Sequence, residues 1–242
     1  MTSVAALTGC VVAGQHRPTN PSTMVNLGGR SQRDVHIYLV WLGASGADRI
    51  MVSQVEAHLG ELSGSRYVAR LQQYGVRDIR YVESARHTMT SPEYAPLLTS
   101  ILKRHPKWAH DPLAQVVLVL PPGAHNGREG AAAFHSRSLL MGREVIWSVI
   151  DYQDIGSSTA EAMQSLITHE VVEAATNVDG SGYANAKGDA IGDPCNWNIT
   201  LTDTGGAVQQ FWDNRTAACW PNLPDGSVFV MHRRDGPSSG VH

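Results

Sequence analysis

Val145-Ile146-Trp147-Ser148-Val149-Ile150, followed after a polar bend by Thr159 to Thr176, is the stretch on which the fold turns. The first run is short, β-branched and almost wholly apolar, which is the pattern of a buried strand. In the second, Ala160, Met163, Leu166, Ile167, Val171 and Ala174 recur mostly at three- and four-residue steps, the period of a helix. Ser157, Ser158 and Thr159 offer N-cap side chains at its start. Beyond it, Asn177-Val178-Asp179-Gly180-Ser181-Gly182 is loop chemistry.

The same alternation of strand and helix extends upstream. Val35-His36-Ile37-Tyr38-Leu39-Val40-Trp41-Leu42 reads as a buried strand ended by Gly43. Asp48 to Leu62 places Ile50, Val52, Val55, Leu59 and Leu62 at helical spacing. Tyr67 to Tyr74 suits a short helix closed by Gly75, and Val76 to Glu83 suits a strand. Pro96 fits the first turn of a helix that runs to about Arg104, because its missing N–H would be unpaired there anyway. Gln115 to Leu120 is a further buried strand, stopped by Pro121-Pro122-Gly123. No internal repeat is visible. One domain of α+β or α/β type over 34–222 accounts for this order, with 1–33 as a flexible leader and linker and 223–242 as a tail.

Composition narrows the classes of function. The 242 residues are 42% apolar and 17% charged, which supports a sizeable core and argues against long disorder. A net charge of -3 gives no reason to expect nucleic acid or an anionic membrane as the main partner. No apolar run reaches the roughly 18 residues of a spanning helix. Of the three cysteines, Cys195 and Cys219 lie close together in a Gly/Asn/Asp-rich region that suits a loop-stapling disulfide, leaving Cys10 over. Three reduced thiols are the alternative. A disulfide places the chain in an oxidising, secreted or extracytoplasmic compartment. Leu7-Thr8-Gly9-Cys10 has the form of a lipoprotein cleavage box, although its leader is short for a signal.

The chemistry concentrates in His169-Glu170-Val171-Val172-Glu173. Residues four apart on a helix share a face, so His169 and Glu173 can address one ion. An imidazole nitrogen and a carboxylate oxygen both bind zinc at about 2.0 Å. Glu170 occupies the position of the general base in H-E-x-x-H peptidases. Glu173, standing where those enzymes carry the second histidine, makes the ligand set more anionic. Asp179, Asp189 and Asp193 follow in the next loop as candidates for a third ligand.

His169-Glu170-Val171-Val172-Glu173-Ala174-Ala175-Thr176-Asn177 and Ile191-Gly192-Asp193-Pro194-Cys195 resemble the H-E-x-x-E-x-x-[ST]-[ND] and E-I-G-D-x-C motifs of the exordium, or phosphate-induced, protein family. Val35 to Trp41, Gln73-Tyr74-Gly75-Val76, Phe134-His135-Ser136 and Val208-Gln209-Gln210-Phe211-Trp212-Asp213-Asn214 with Cys219 resemble further motifs of that family, in order. The resemblance spans about 34–221 and departs at Ala190, where the family carries Glu. It implies an α+β, zincin-like domain in which a mixed sheet packs on helices, with a loop-rich C-terminal part stapled by Cys195 and Cys219. It also implies secretion or a place at the cell surface, zinc held by His169, Glu173 and Asp193, Glu170 as the base, and His135 lining the site or binding the metal.

The expected function is therefore zinc-dependent hydrolysis of a peptide or protein substrate, with Glu170 and His135 as catalytic groups and His135 or Tyr183 stabilising the oxyanion. The alternative is a secreted or wall-associated binding protein whose metal is structural and whose partner is cell-wall material. Asn177-x-Asp179-x-Ser181-Gly182 resembles the start of a calcium loop, but Gly188 stands where its glutamate is needed, so a turn is expected. Trp197, Trp212 and Trp220 are expected to pack around the disulfide. No Gly-x-Ser-x-Gly elbow or phosphate-binding Gly-Lys motif is present.

Overall fold

The apolar strands read from the sequence are apolar because both faces of their sheet are covered. The computed structural model describes residues 23–43, 49–91, 93–152, 159–196, 198–202, 204–221 and 229–230. In chain order its elements are β1 (Val25–Asn26), β2 (Asp34–Leu42), α1 (Arg49–Glu61), α2 (Arg66–Leu71), β3 (Asp78–His87), α3 (Tyr94–Arg104), α4 (Pro106–His110), β4 (Ala114–Val119), β5 (Ala133–Leu140) and β6 (Arg143–Ile150). There follow α5 (Thr159–Asn177), β7 (Tyr183–Ala184), β8 (Asn198–Leu201), β9 (Ala207–Gln209), β10 (Phe211–Asp213), β11 (Ala218–Trp220) and β12 (Phe229–Val230). The main sheet has the order β3-β2-β4-β6-β5. Its first four strands are parallel, and β5 runs antiparallel to β6 at the edge. The chain is thus α+β with a mixed five-stranded sheet.

Side chains alternate across a strand, so each strand feeds two cores. Val35, Ile37, Leu39 and Trp41 of β2 join Val117, Val119 and Ile150 against residues of α1, α2 and α5. Tyr38, Val40 and Leu42 join Val116, Leu118 and Val149 against residues of α3 and α4. Helices on both faces make the central strands almost wholly apolar, with Gln115 and Ser148 as buried polar exceptions. The pattern relaxes further at the edge: β5 reads Ala-Phe-His-Ser-Arg-Ser-Leu-Leu, with His135 and Arg137 on one face and Phe134 and Leu140 on the other.

Helix α5 is buried from Ala162 to Asn177. The sheet lies along one side of it, and α1 and β9 along another. A helix enclosed in this way is expected to be apolar all round, which sets apart the ionisable side chains of His169, Glu170 and Glu173 at its centre.

The C-terminal part is built of short strands, with β8 between β9 and β12 and β10 paired to β11. Cys195 and Cys219 are joined, with Cα atoms 5.6 Å apart. Trp212 and Trp220 pack against the main core, and Trp220 stacks over Tyr67; Trp197 lies outside the described residues. Part of the stretch read as a flexible leader belongs to the domain. Met24 is buried, β1 pairs with β7, and the Gln32 N–H donates to the Ala175 carbonyl at 2.6 Å. The stretch's Gly, Ser, Pro, Thr and Asn content reads as a linker, but Val25–Asn26 forms a strand on β7 and Gln32 bonds α5. In the stretch read as a tail, Phe229–Val230 pairs with β8. The Leu7–Cys10 box and Ser157 and Ser158 lie outside the described residues.

Gly182 ends the turn after α5, where its N–H donates to Asn177 Oδ1 at 2.7 Å. A Cβ there would lie 2.0 Å from the Thr176 carbonyl oxygen and 2.7 Å from Asn177 Cα. Both neighbours are backbone and cannot swing aside. Gly182→Ala is expected to lower stability by about 2–3 kcal/mol, as overpacking does elsewhere. Urea unfolding would register this as a lower midpoint at unchanged slope; an unmoved midpoint would show that the turn relaxes freely.

Candidate metal centre

His169, Glu170 and Glu173 project from the middle of α5. They are 9%, 4% and 4% exposed. Helical spacing brings His169 Nε2 to 3.4 Å from Glu173 Oε2. The chain after β7 closes over them through Ile191 and Gly192 and then a 3-10 turn, Asp193–Cys195. The Gly192 N–H donates to Glu173 Oε1 at 3.0 Å. A Cβ on Gly192 would lie 2.8 Å from Glu173 Oε1 and 2.9 Å from His169 Nδ1, so only glycine allows this approach. Asp193 takes the Ala190 N–H on Oδ2 at 2.9 Å, which leaves Oδ1 free of that bond.

The ligand atoms of His169, Glu173 and Asp193 all lie within 4.8 Å of one another. Of the three acids considered for a third ligand, only Asp193 joins them. Asp179 accepts from the Ser181 N–H at 3.0 Å and pairs with Arg137 at 2.8 Å, which makes that segment a turn. Asp189 is bound by the Asn185 amide at 2.8 Å. From the sheet side, His135 Nδ1 bonds Glu170 Oε2 at 2.8 Å and lies 3.9 Å from Glu173 Oε2. His135, Glu170 and Glu173 form a second group within 4.8 Å, sharing Glu173 with the first. Tyr183 instead packs edge-on against Tyr74, with ring centroids 5.0 Å apart.

The two histidine–glutamate contacts differ in kind. At 2.8 Å, His135 and Glu170 make a charge-assisted hydrogen bond, for which about 2.7–2.9 Å is usual. The 3.4 Å between His169 and Glu173 is too long for that. Two ligands about 2.0–2.1 Å from a tetrahedral zinc stand roughly 3.3–3.4 Å apart. The donor set, one imidazole and two carboxylates, and this separation fit a zinc ion.

The charges are strongly interdependent. Burial opposes protonation of His169, but Glu173, with Glu170 and Asp193 behind it, outweighs burial and raises the imidazole to about 10. Burial likewise opposes a charge on His135, and its bond to Glu170 raises it. Burial works against ionising Glu173, yet His169, His135 and the Gly192 N–H hold it below the usual carboxylate range. Asp193 is raised by the packing around it and by the charge of Glu173. A divalent cation would take over the role that the His169 proton fills, releasing that proton as it binds.

Gln209 carries no site signature of its own in the sequence, yet its amide Nε2 contacts His169 Nδ1 and lies 3.3 Å from the Gly192 carbonyl oxygen. Its only signal was its place in the Val208-Gln209 motif. Among the described residues no helix is long and apolar enough to cross a membrane. No protein-family model matches the chain, and no curated protein matches it.

Proposed function

We propose that this chain is a zinc-dependent hydrolase of the peptidase type, with a zincin-like core and kinship to the exordium family. The observation that carries the reading is the 3.4 Å separation of the buried His169 Nε2 and Glu173 Oε2, with the exposed Asp193 within ligand distance of both. His169, Glu173 and Asp193 would hold the metal. Bound zinc supplies Lewis acidity for the scissile carbonyl and makes water acidic enough to deprotonate near neutral pH. Glu170, the next residue along the helix, takes the proton of the attacking water on its carboxylate and returns it to the leaving amine. His135 holds Glu170 by its 2.8 Å bond and offers its ring N–H to the developing oxyanion. The substrate is a peptide or protein. The Cys195–Cys219 disulfide supports a secreted or extracytoplasmic location.

A second reading, a secreted or wall-associated binding protein with a structural metal, draws support from the burial of His169 and Glu173, since structural zinc sites are closed. Two measurements separate the readings. Elemental analysis of protein purified with zinc present is expected to give about one zinc per chain. Cleavage of an unstructured protein substrate is expected to stop on chelation and return with added zinc. Zinc without cleavage favours the structural role, and no zinc at all removes both readings.

A further inference from the structure

Gln209 enters the cluster from β9 and is 2% exposed. Its backbone is pinned on two sides: its N–H donates to Thr168 Oγ1 at 3.2 Å, and its carbonyl accepts from the Tyr67 hydroxyl at 3.0 Å. The amide is thereby delivered to His169 Nδ1. An amide can meet an imidazole nitrogen with either end. Were Nε2 to donate to Nδ1, a neutral His169 would carry its own proton on its Nε2, the atom that faces Glu173. That tautomer cannot ligate through Nε2. Ligation through Nε2 requires the proton on Nδ1, and a buried N–H needs an acceptor. Turning the Gln209 amide over places Oε1 at Nδ1 and gives up the 3.3 Å contact of its Nε2 with the Gly192 carbonyl.

We infer that Gln209 is the positioning residue that sets the tautomer of His169, its amide oxygen accepting the Nδ1 proton and so leaving Nε2 for the metal. The inference rests on the reading of His169 as a ligand. It explains why a long polar side chain is buried here, where an apolar one would fill the same space at lower desolvation cost.

Zinc affinity measured by competition with a chromophoric chelator tests it, using the full chain, Gln209→Leu, Gln209→Glu and His169→Ala. Gln209→Leu, which has no acceptor, is expected to weaken zinc binding about 10–100-fold. Gln209→Glu, which is always an acceptor, is expected to bind at least as tightly as the wild type. In ¹⁵N-edited spectra of the zinc-loaded wild type and Gln209→Glu, the His169 proton should sit on Nδ1. A purely structural role would weaken both variants alike, and that result overturns the inference, as does wild-type affinity in Gln209→Leu. If Gln209→Leu does not fold, Gln209→Glu decides alone: tighter or equal binding with the proton on Nδ1 supports the inference, and weaker binding overturns it. Wild-type zinc affinity in His169→Ala would instead bring down the metal site itself.

Discussion

Glu170→Gln is expected to lower the rate of peptide hydrolysis by about 10²–10⁴-fold, the usual contribution of a positioned general base, while zinc content stays at the wild-type level. The substitution is isosteric. Its amide oxygen can still accept the His135 Nδ1–H bond that Glu170 Oε2 takes at 2.8 Å, so the local geometry survives. What disappears is a group able to take a proton from water. Glu170 is outside the group formed by His169, Glu173 and Asp193, so metal retention should be unaffected. Paired measurement of kcat and zinc stoichiometry checks both halves. Full activity would show that Glu170 is not the base, and loss of zinc would make it a ligand.

His169→Ala is expected to remove stoichiometric zinc, a larger loss than the roughly 10–100-fold typical of an outer residue that only orients a ligand. It should also destabilise the metal-free protein, because Glu173 loses the cation 3.4 Å away in a buried setting. This second effect has a defined pH dependence. The folded value for His169, about 10, lies above the ordinary histidine value of about 6.5. The folded state therefore binds the proton more tightly than the unfolded state. The stabilisation is complete below about pH 6.5 and fades as pH rises through about 10. Urea unfolding of the two metal-free proteins should accordingly differ most in mild acid and converge in alkali. A difference that grows with pH would place the proton elsewhere in the cluster.

How far the sequence can be read follows from how each element is buried. β2, β4 and β6 are covered on both faces, so their apolar runs stand out against polar flanks. β5 escapes notice because an edge strand with one polar face lacks that density. The turn joining it to β6 also carries no ordinary signal: Met141 and Gly142 both have positive φ, 52° and 80°, and Met is not a residue that announces such a turn. Within the site, His169, Glu170 and Glu173 are legible because one helix places them by local spacing. Asp193 is marked out from its neighbouring acids only by the resemblance to a family motif, since nothing local to the loop distinguishes it from Asp179 or Asp189. Gln209 meets His169 across 40 residues of chain, and no periodicity reports a contact of that kind.

The Cys195–Cys219 bond spans 24 residues, and Gln209 lies inside the loop it closes while Asp193 stands two residues outside. The chain-entropy account gives about 3 kcal/mol for closing a loop of this length. Its bearing on the metal cluster is more specific. One half of the cluster is prefabricated on a single helix; the other half, distant in sequence, is leashed by the bond into one short parcel. Assembling the centre then becomes the meeting of two bodies instead of the gathering of several independent strands of chain. In a reducing medium the leash is cut, and the parcel keeps its shape only through its small β-ladders and its contacts with Tyr67 and Thr168.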